Sequence, residues 1–135
     1  IGVTRAYPIR VGGPSGLFNP DSIEVNWDTI AKTSGTLRDL TEKTSVTKSI
    51  RRVATFSMEG IKRACMVNRV SEIALTFADH IDATVYEKNS LTLPIIDFID
   101  TIESETTIPV GLVKTGPKTT VDFDWYRRSM LNKVA

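Results

Sequence analysis

Hydrophobic positions recur along this chain with two periods, and the periods change at places where helices and strands should meet. Ile1, Val3, Tyr7, Ile9 and Val11 alternate with smaller or polar residues, a period of two that predicts a half-buried strand over residues 1–11, with Pro8 marking an edge, a bulge or a break. Gly12, Gly13, Pro14, Ser15 and Gly16 then predict a tight turn. Ile23, Trp27 and Ile30 fall at helical spacing, predicting a short helix over Ser22–Thr33 capped by Asp21 or Ser22, with Trp27 as a core anchor. Leu37–Lys43 reads as another short helix. Ser57 can cap a helix over Met58–Val70, although the position where a capping box wants Glu or Gln is Gly60. The apolar face of that helix would carry Met58, Ile61, Ala64, Cys65 and Val67.

The second half alternates elements more regularly. Glu72–Phe77 is a compact apolar strand, and Pro94 can open a helix through Glu105 with Ile95, Ile96, Phe98, Ile99 and Ile102 on one face. Pro109–Val113 predicts a further strand, Lys114–Pro117 a sharp exit, Val121–Tyr126 a last strand, and RRSMLNKVA a frayed terminal helix. Helix, strand, helix and strand in succession predict an α/β fold: a mainly parallel sheet with flanking helices, residues 1–135 forming a single unit.

Composition narrows the functional classes. With 135 residues, 41% hydrophobic and 24% charged, the chain can bury a core. A net charge of +1 supplies no general attraction to nucleic acid or membrane, so any anion site must be local. The single Cys65 excludes an internal disulfide, and the single His80 excludes a multi-histidine metal centre. No apolar run is long enough to span a bilayer, and the cytoplasm is the expected compartment. The chain opens inside a strand, without an initiator methionine, which leads us to expect the C-terminal portion of a longer protein.

The chemistry concentrates in TSVTKSIRRVATF, Thr44–Phe56. Hydroxyl residues precede Lys48, Arg51 and Arg52, a combination suited to carboxylate or phosphate because guanidinium groups bind planar oxyanions with two parallel hydrogen bonds. The same stretch equally reads as a solvated basic loop. Asp79 lies just past the end of a predicted strand, where α/β sheets hold ligands, and reads as either a cap or a ligand contact. His80 reads as a solvated loop histidine rather than a catalytic base.

Four stretches in order, RAYPIRVGGPSG (5–16), TSVTKSIRRVATF (44–56), ALTFADHID (74–82) and IPVGLVKTGP (108–117), resemble the C-terminal third of adenylosuccinate synthetase. That resemblance implies a P-loop NTPase-like α/β fold and a ligase joining aspartate to a purine nucleoside monophosphate with ATP or GTP hydrolysis. It implies aspartate contacts at Ser45, Val46, Thr47 and Arg51, and nucleotide-substrate contacts at Val11, Gly12 and Ser49. Arg51, Asp79, Lys114 and Gly116 would face the triphosphate, with the Asp79 carboxylate reading the edge of its base. Mg²⁺, the phosphate loop and the general base belong to the family's N-terminal part, so no catalytic residue is expected in this chain, and the family's members are usually homodimers.

Departures from the pattern point to a branch. Lys48 and Ser49 interrupt the family's arginine-rich loop, Ser49 replacing an arginine that contacts the substrate ribose hydroxyl, and Phe77 replaces a lysine beside the base. These features are similar to the phage-associated branch that joins aspartate to dGMP, giving 2-amino-2′-deoxy-N6-succinyladenylate. The alternatives are the housekeeping reaction of IMP, aspartate and GTP, and a non-catalytic anion-binding α/β module.

Overall fold

The computed structural model describes the backbone of residues 1–134 and the side chains of residues 1–133. In chain order the elements are β1 (Gly2–Arg5), β2 (Ile9–Arg10), β3 (Glu24–Val25), α1 (Trp27–Ser34), β4 (Arg52–Ala54), α2 (Met58–Val67) and β5 (Ile73–Thr76). Two 3₁₀ turns (Ala78–His80 and Ala83–Val85), α3 (Leu93–Thr106), β6 (Val110–Lys114), β7 (Thr120–Asp122) and α4 (Phe123–Val134) complete the chain. The larger sheet has the order β1-β5-β6-β7, with β1, β5 and β6 parallel and β7 antiparallel at one edge. The expected α/β architecture, a mostly parallel sheet with flanking helices, is therefore present.

The parallel strands are apolar because helices cover them. Ile73 and Leu75 of β5, Val110 and Val113 of β6, and Ile95, Ile99 and Ile102 of α3 are all fully buried in one core. The spacing of the three isoleucines keeps them on one helical face. Cys65 joins this core as a small hydrophobe, and burial pushes its thiol pKa up. α2 sits shallowly: Met58 and Ile61 are half-buried, while Ala64 and Val67, expected on the buried face, are exposed.

A second sheet, β2-β4-β3, is antiparallel throughout. Its core is Trp27, Ile30, Leu40 and Val53, and Tyr7 packs against both cores. The expected strand over residues 1–11 is thus two strands in different sheets, separated at Ala6–Pro8; of the edge, bulge or break that Pro8 could mark, it lies at a break, and its carbonyl accepts from Ala54 N–H at 3.0 Å. The expected helix over Ser22–Thr33 is α1, shifted toward the C-terminus. Asn26 caps it by accepting from Thr29 N–H at 2.8 Å, and the preceding residues Glu24 and Val25 pair with β4.

Leu37–Lys43 is not helical. Leu37 is exposed and only Leu40 is buried, so the segment has no apolar face to dock. Thr36 and Asp39 side chains accept from the Arg38 and Thr41 N–H groups, bonds that favour turns over helix. The expected strand over Val121–Tyr126 stops at Asp122, whose carboxylate accepts from Trp125 N–H at 3.0 Å and starts α4. The terminal helix expected over RRSMLNKVA belongs to α4 up to Val134; Ala135 lies outside the described residues.

The cap of α2 explains how the chain manages without a local capping box. Ser57 Oγ accepts from Gly60 N–H at 2.8 Å and donates to Asp21 at 2.6 Å, and Asp21 accepts from Glu59 N–H at 3.1 Å. A carboxylate from a distant loop therefore satisfies Glu59 N–H, another of the free donors in the first turn, and orients the Ser57 hydroxyl, in place of the Ser57 N–H contact that a local Glu or Gln would make. These bonds, the one from Ser57 first, hold the Asp21 carboxyl below its ordinary pKa. Ser57→Ala is expected to lower unfolding stability by about 1 kcal/mol, read as a shifted urea midpoint at neutral pH. An unchanged midpoint would show that the cap does not stabilise α2.

Candidate functional site

Three parallel strands deliver their C-terminal ends to one side of the sheet, and a cavity of about 230 Å³ opens there. After β5 the chain turns at Phe77, which adopts a left-handed conformation with φ 60°. Such a conformation costs a bulky residue on the order of 1–3 kcal/mol. The turn sends Asp79 and His80 back under the strand end, where both are buried. Phe77, Asp79, His80, Tyr86, Lys114, Gly116 and Arg38 line the cavity.

Arg38 dominates the electrostatics. Its Nη2 donates to Asp79 Oδ2 at 3.2 Å, and its guanidinium carbon lies 3.7 Å from the Tyr86 ring centroid. On the neighbouring side, Arg5 at the end of β1 stacks at 3.9 Å over Phe77 and pairs with Glu42. Lys114 curls onto its own turn, donating to the Pro117 carbonyl at 2.8 Å. Gly116 is buried against Glu87, so that a side chain at this position would collide with that carboxylate, which accepts from Lys118 N–H. Thr115 is fully buried and donates to the Lys88 carbonyl at 2.8 Å, fastening the turn after β6 to the segment after β5.

His80 is not the solvated loop residue its surroundings in the sequence suggest. It is 4% exposed, with Phe77 at 4.8 Å and the edge of Trp27 at 6.4 Å between ring centroids. Burial pushes its pKa below the ordinary value, outweighing the opposite pull of Asp79, and keeps the imidazole neutral near pH 7. Its Nδ1 is buried without a hydrogen-bond partner.

The hydroxyl- and arginine-rich stretch forms a separate group. A bridge between Lys43 and Ile50 closes a loop over Thr44–Ser49, with Lys48 at φ 57°. Thr44 and Thr47 hydroxyls meet at 2.6 Å, Thr47 and Ser49 at 3.2 Å, and Ser49 N–H donates to Thr44 Oγ1 at 3.1 Å. Ser45, Val46 and Thr47 project at the exposed tip. Gly12 packs against the base of this loop: a Cβ there would lie 2.5 Å from the Ile50 carbonyl oxygen and 3.2 Å from Ser49 Cβ. Val11, Gly12 and Ser49, far apart in sequence, are thereby neighbours.

The two arginines differ. Arg52 is committed to structure, bonding Glu24 at 2.6 and 2.9 Å, Ser15 Oγ at 3.0 Å and the Gly16 carbonyl at 2.6 Å, which clamps the glycine turn to β4. The Arg51 backbone is held by Glu42 and by the Trp27 indole at 2.9 Å, while its Nε is buried with no partner. Asp79, Lys114 and Gly116 thus share one cavity, whereas Arg51 does not line it and sits with the loop. Arg38 and Tyr86, which complete the cavity, carry no sequence signal: Arg38 lies in an irregular segment 41 residues from Asp79.

No family model matches the chain. It is 36% identical over 81 residues to the N6-succino-2-amino-2′-deoxyadenylate synthase of Vibrio phage phiVC8, covering 60% of this chain and 22% of that protein. It is 34% identical over 119 residues to the adenylosuccinate synthetase of Methanocaldococcus jannaschii, covering 86% of this chain and 32% of that protein. Among solved structures, it is similar to a cyanophage S-2L succinoaminodeoxyadenylate synthetase bound to dGMP and to dATP as an energy donor. The TM-score is 0.65 at 33% identity, over 86% of this chain and 31% of that one. The chain therefore spans less than a third of each of these three proteins, at their C-terminal part.

Because His80 is neutral and buried when folded, the unfolded chain takes up its proton first as the pH falls through about 6.5. Stability should be insensitive to His80 above that pH and decline below it. The urea midpoint is expected to fall between pH 7.5 and pH 5.5, and His80→Gln should flatten that dependence. The carboxyls held low, Asp21, Glu24, Asp39 and Asp82, titrate below this window. An equal slope in the variant would mean that His80 is not the responsible group.

Proposed function

We propose that this chain, similar to the C-terminal part of adenylosuccinate synthetase and of the phage succinoaminodeoxyadenylate synthetases, forms one α/β unit of a ligase that joins aspartate to the 6-position of a purine nucleotide, with dGMP as the favoured acceptor. The observation that carries this reading is the cavity at the C-terminal ends of the parallel strands, where Asp79, Lys114 and Gly116 converge. Its volume, about 230 Å³, is below that of pockets enclosing a whole drug-sized ligand, and it suits one ring system of a larger molecule. The base of a nucleoside triphosphate would enter between the Phe77 and Tyr86 rings toward the Asp79 carboxylate, leaving sugar and phosphates outside.

The loop over Thr44–Ser49 would take the aspartate co-substrate, with Ser45, Val46 and Thr47 at its carboxylates and Arg51 between aspartate and the triphosphate side. Val11, Gly12 and Ser49 would contact the sugar of the acceptor nucleotide. A serine hydroxyl at position 49 gives up the long donor that would reach a ribose 2′-hydroxyl, a loss compatible with a deoxyribose substrate. The dGMP and dATP of the cyanophage structure support the same assignment.

In this reading the purine 6-oxygen first receives the γ-phosphoryl group. The amine of aspartate then attacks C6, and the C6–O bond breaks to release phosphate. Arg51 neutralises carboxylate or phosphate charge while the reaction passes through these anionic species. Among the described residues there is no cluster of three or more His, Cys, Asp or Glu side chains that could hold a metal ion, and no step is assigned to Mg²⁺ in this chain. The phosphate loop, base and metal ligands would come from the rest of the enzyme, which would act as a homodimer in the cytoplasm, the host's if phage-encoded. No helix of the described residues is long and apolar enough to cross a membrane.

In the intact enzyme, Ser49→Arg should raise the ratio of kcat/KM for ribonucleotide over deoxyribonucleotide acceptors. The loop is exposed and can accept the longer side chain, so an unchanged ratio would remove the dGMP assignment. Arg51→Ala should raise the aspartate KM by about ten- to a hundredfold, the equivalent of one charge-assisted contact, and should also lower kcat. An unchanged aspartate KM would detach Arg51 from that site.

A further inference from the structure

We propose that Arg38 determines which nucleoside triphosphate the cavity accepts, by pairing with Asp79 to form a donor–acceptor face that fits adenine better than guanine. This inference rests on reading the cavity as the base site. Asp79 alone would offer two carboxylate oxygens, both acceptors. That arrangement suits guanine, whose N1–H and N2–H groups point the same way. Arg38 changes the face. Its Nη2 engages Asp79 Oδ2 at 3.2 Å, leaving Oδ1 as the acceptor and setting guanidinium N–H donors beside it. Adenine presents an N6–H donor next to the N1 acceptor, so its edge meets Asp79 Oδ1 with the first and an Arg38 N–H with the second.

The guanidinium is held in place before any ligand arrives. It stacks on Tyr86 at 3.7 Å, and the Asp79 side chain it bonds is 6% exposed. A planar cation fixed on an aromatic ring and a buried carboxylate loses little freedom on binding. For guanine to claim both Asp79 oxygens, Arg38 must swing off, and the two N–H groups then replace a charged partner at a buried carboxylate. That exchange is unfavourable because a buried charge depends on its counter-ion. Arg38 is exposed along much of its length, 45% of its side-chain surface, so it can be truncated without opening the core.

The test is initial-rate kinetics of the intact enzyme with ATP and GTP as competing phosphoryl donors. Arg38→Ala is expected to shift the ATP/GTP ratio of kcat/KM toward GTP by about tenfold or more, the size of one charge-assisted hydrogen bond. Arg38→Lys keeps a cation near Asp79 but loses the planar stack and should give a smaller shift. The aspartate KM, read at the separate loop, reports whether each variant retains its fold. A ratio unchanged within twofold in a folded Arg38→Ala enzyme overturns the proposal. If Asp79→Ala moves the ratio in the same assay while Arg38→Ala does not, only the role of Arg38 fails. If neither moves it, the cavity is not the base site, and the reading beneath the proposal fails with it.

Discussion

Parallel pairing is the constraint on which the rest of this structure depends. Once β1, β5 and β6 run in the same direction, their C-terminal ends must emerge on one side of the sheet. Arg5, Phe77 and Lys114 leave the strands within one neighbourhood for that reason, although they are distant in sequence. The apolar interior that makes the pairing stable, Ile73, Leu75, Val110 and Val113 beneath α3, carries no chemistry. It fixes the platform from which polar side chains are aimed. The left-handed turn at Phe77 is the local cost of that arrangement, redirecting the chain so that Asp79 and His80 fold back under the strand end.

The irregular segment from Thr36 to Lys43 joins the two candidate subsites. Arg38 reaches the Asp79 cavity, Leu40 is buried with Trp27, and the Glu42 carboxylate pairs with Arg5 at the end of β1. The Glu42 carbonyl accepts from Arg51 N–H at 2.8 Å, and Lys43 bridges Ile50 at the base of the hydroxyl-rich loop. A segment with no helix or strand of its own is therefore held by ion pairs, one buried leucine and backbone bonds. Electrostatics and backbone bonding, more than apolar packing, connect the cavity to the loop.

Much of the larger sheet was legible because its strands and helices are long enough to show a period. Glu72–Phe77 and the helix opened by Pro94 stand out through apolar residues that the core then buries. The second sheet was not legible, since β2 and β3 contribute two residues each and no period can appear over two residues. The Asp21 cap of α2 and the Arg38–Asp79 pair were hidden for another reason: their partners are 36 and 41 residues apart, and only the folded chain brings them together. The resemblance of four ordered stretches supplied candidate residues that local pattern could not, among them Gly12 and Ser49, which prove to be neighbours. It did not reveal that Arg52 is consumed in clamping the glycine turn, or that His80 is buried.

The central claim is that the Asp79 carboxylate reads the base of a nucleoside triphosphate. The most direct measurement is the binding preference of the intact Asp79→Asn enzyme among ATP, GTP, ITP and XTP, alongside its affinity for aspartate. Replacing one carboxylate oxygen with an amide exchanges an acceptor for a donor. The order of preference should therefore change, the base whose N–H donor met the lost oxygen losing most, with aspartate affinity unchanged. An unaltered order of preference would contradict the claim and leave Asp79 as the structural counter-ion of Arg38.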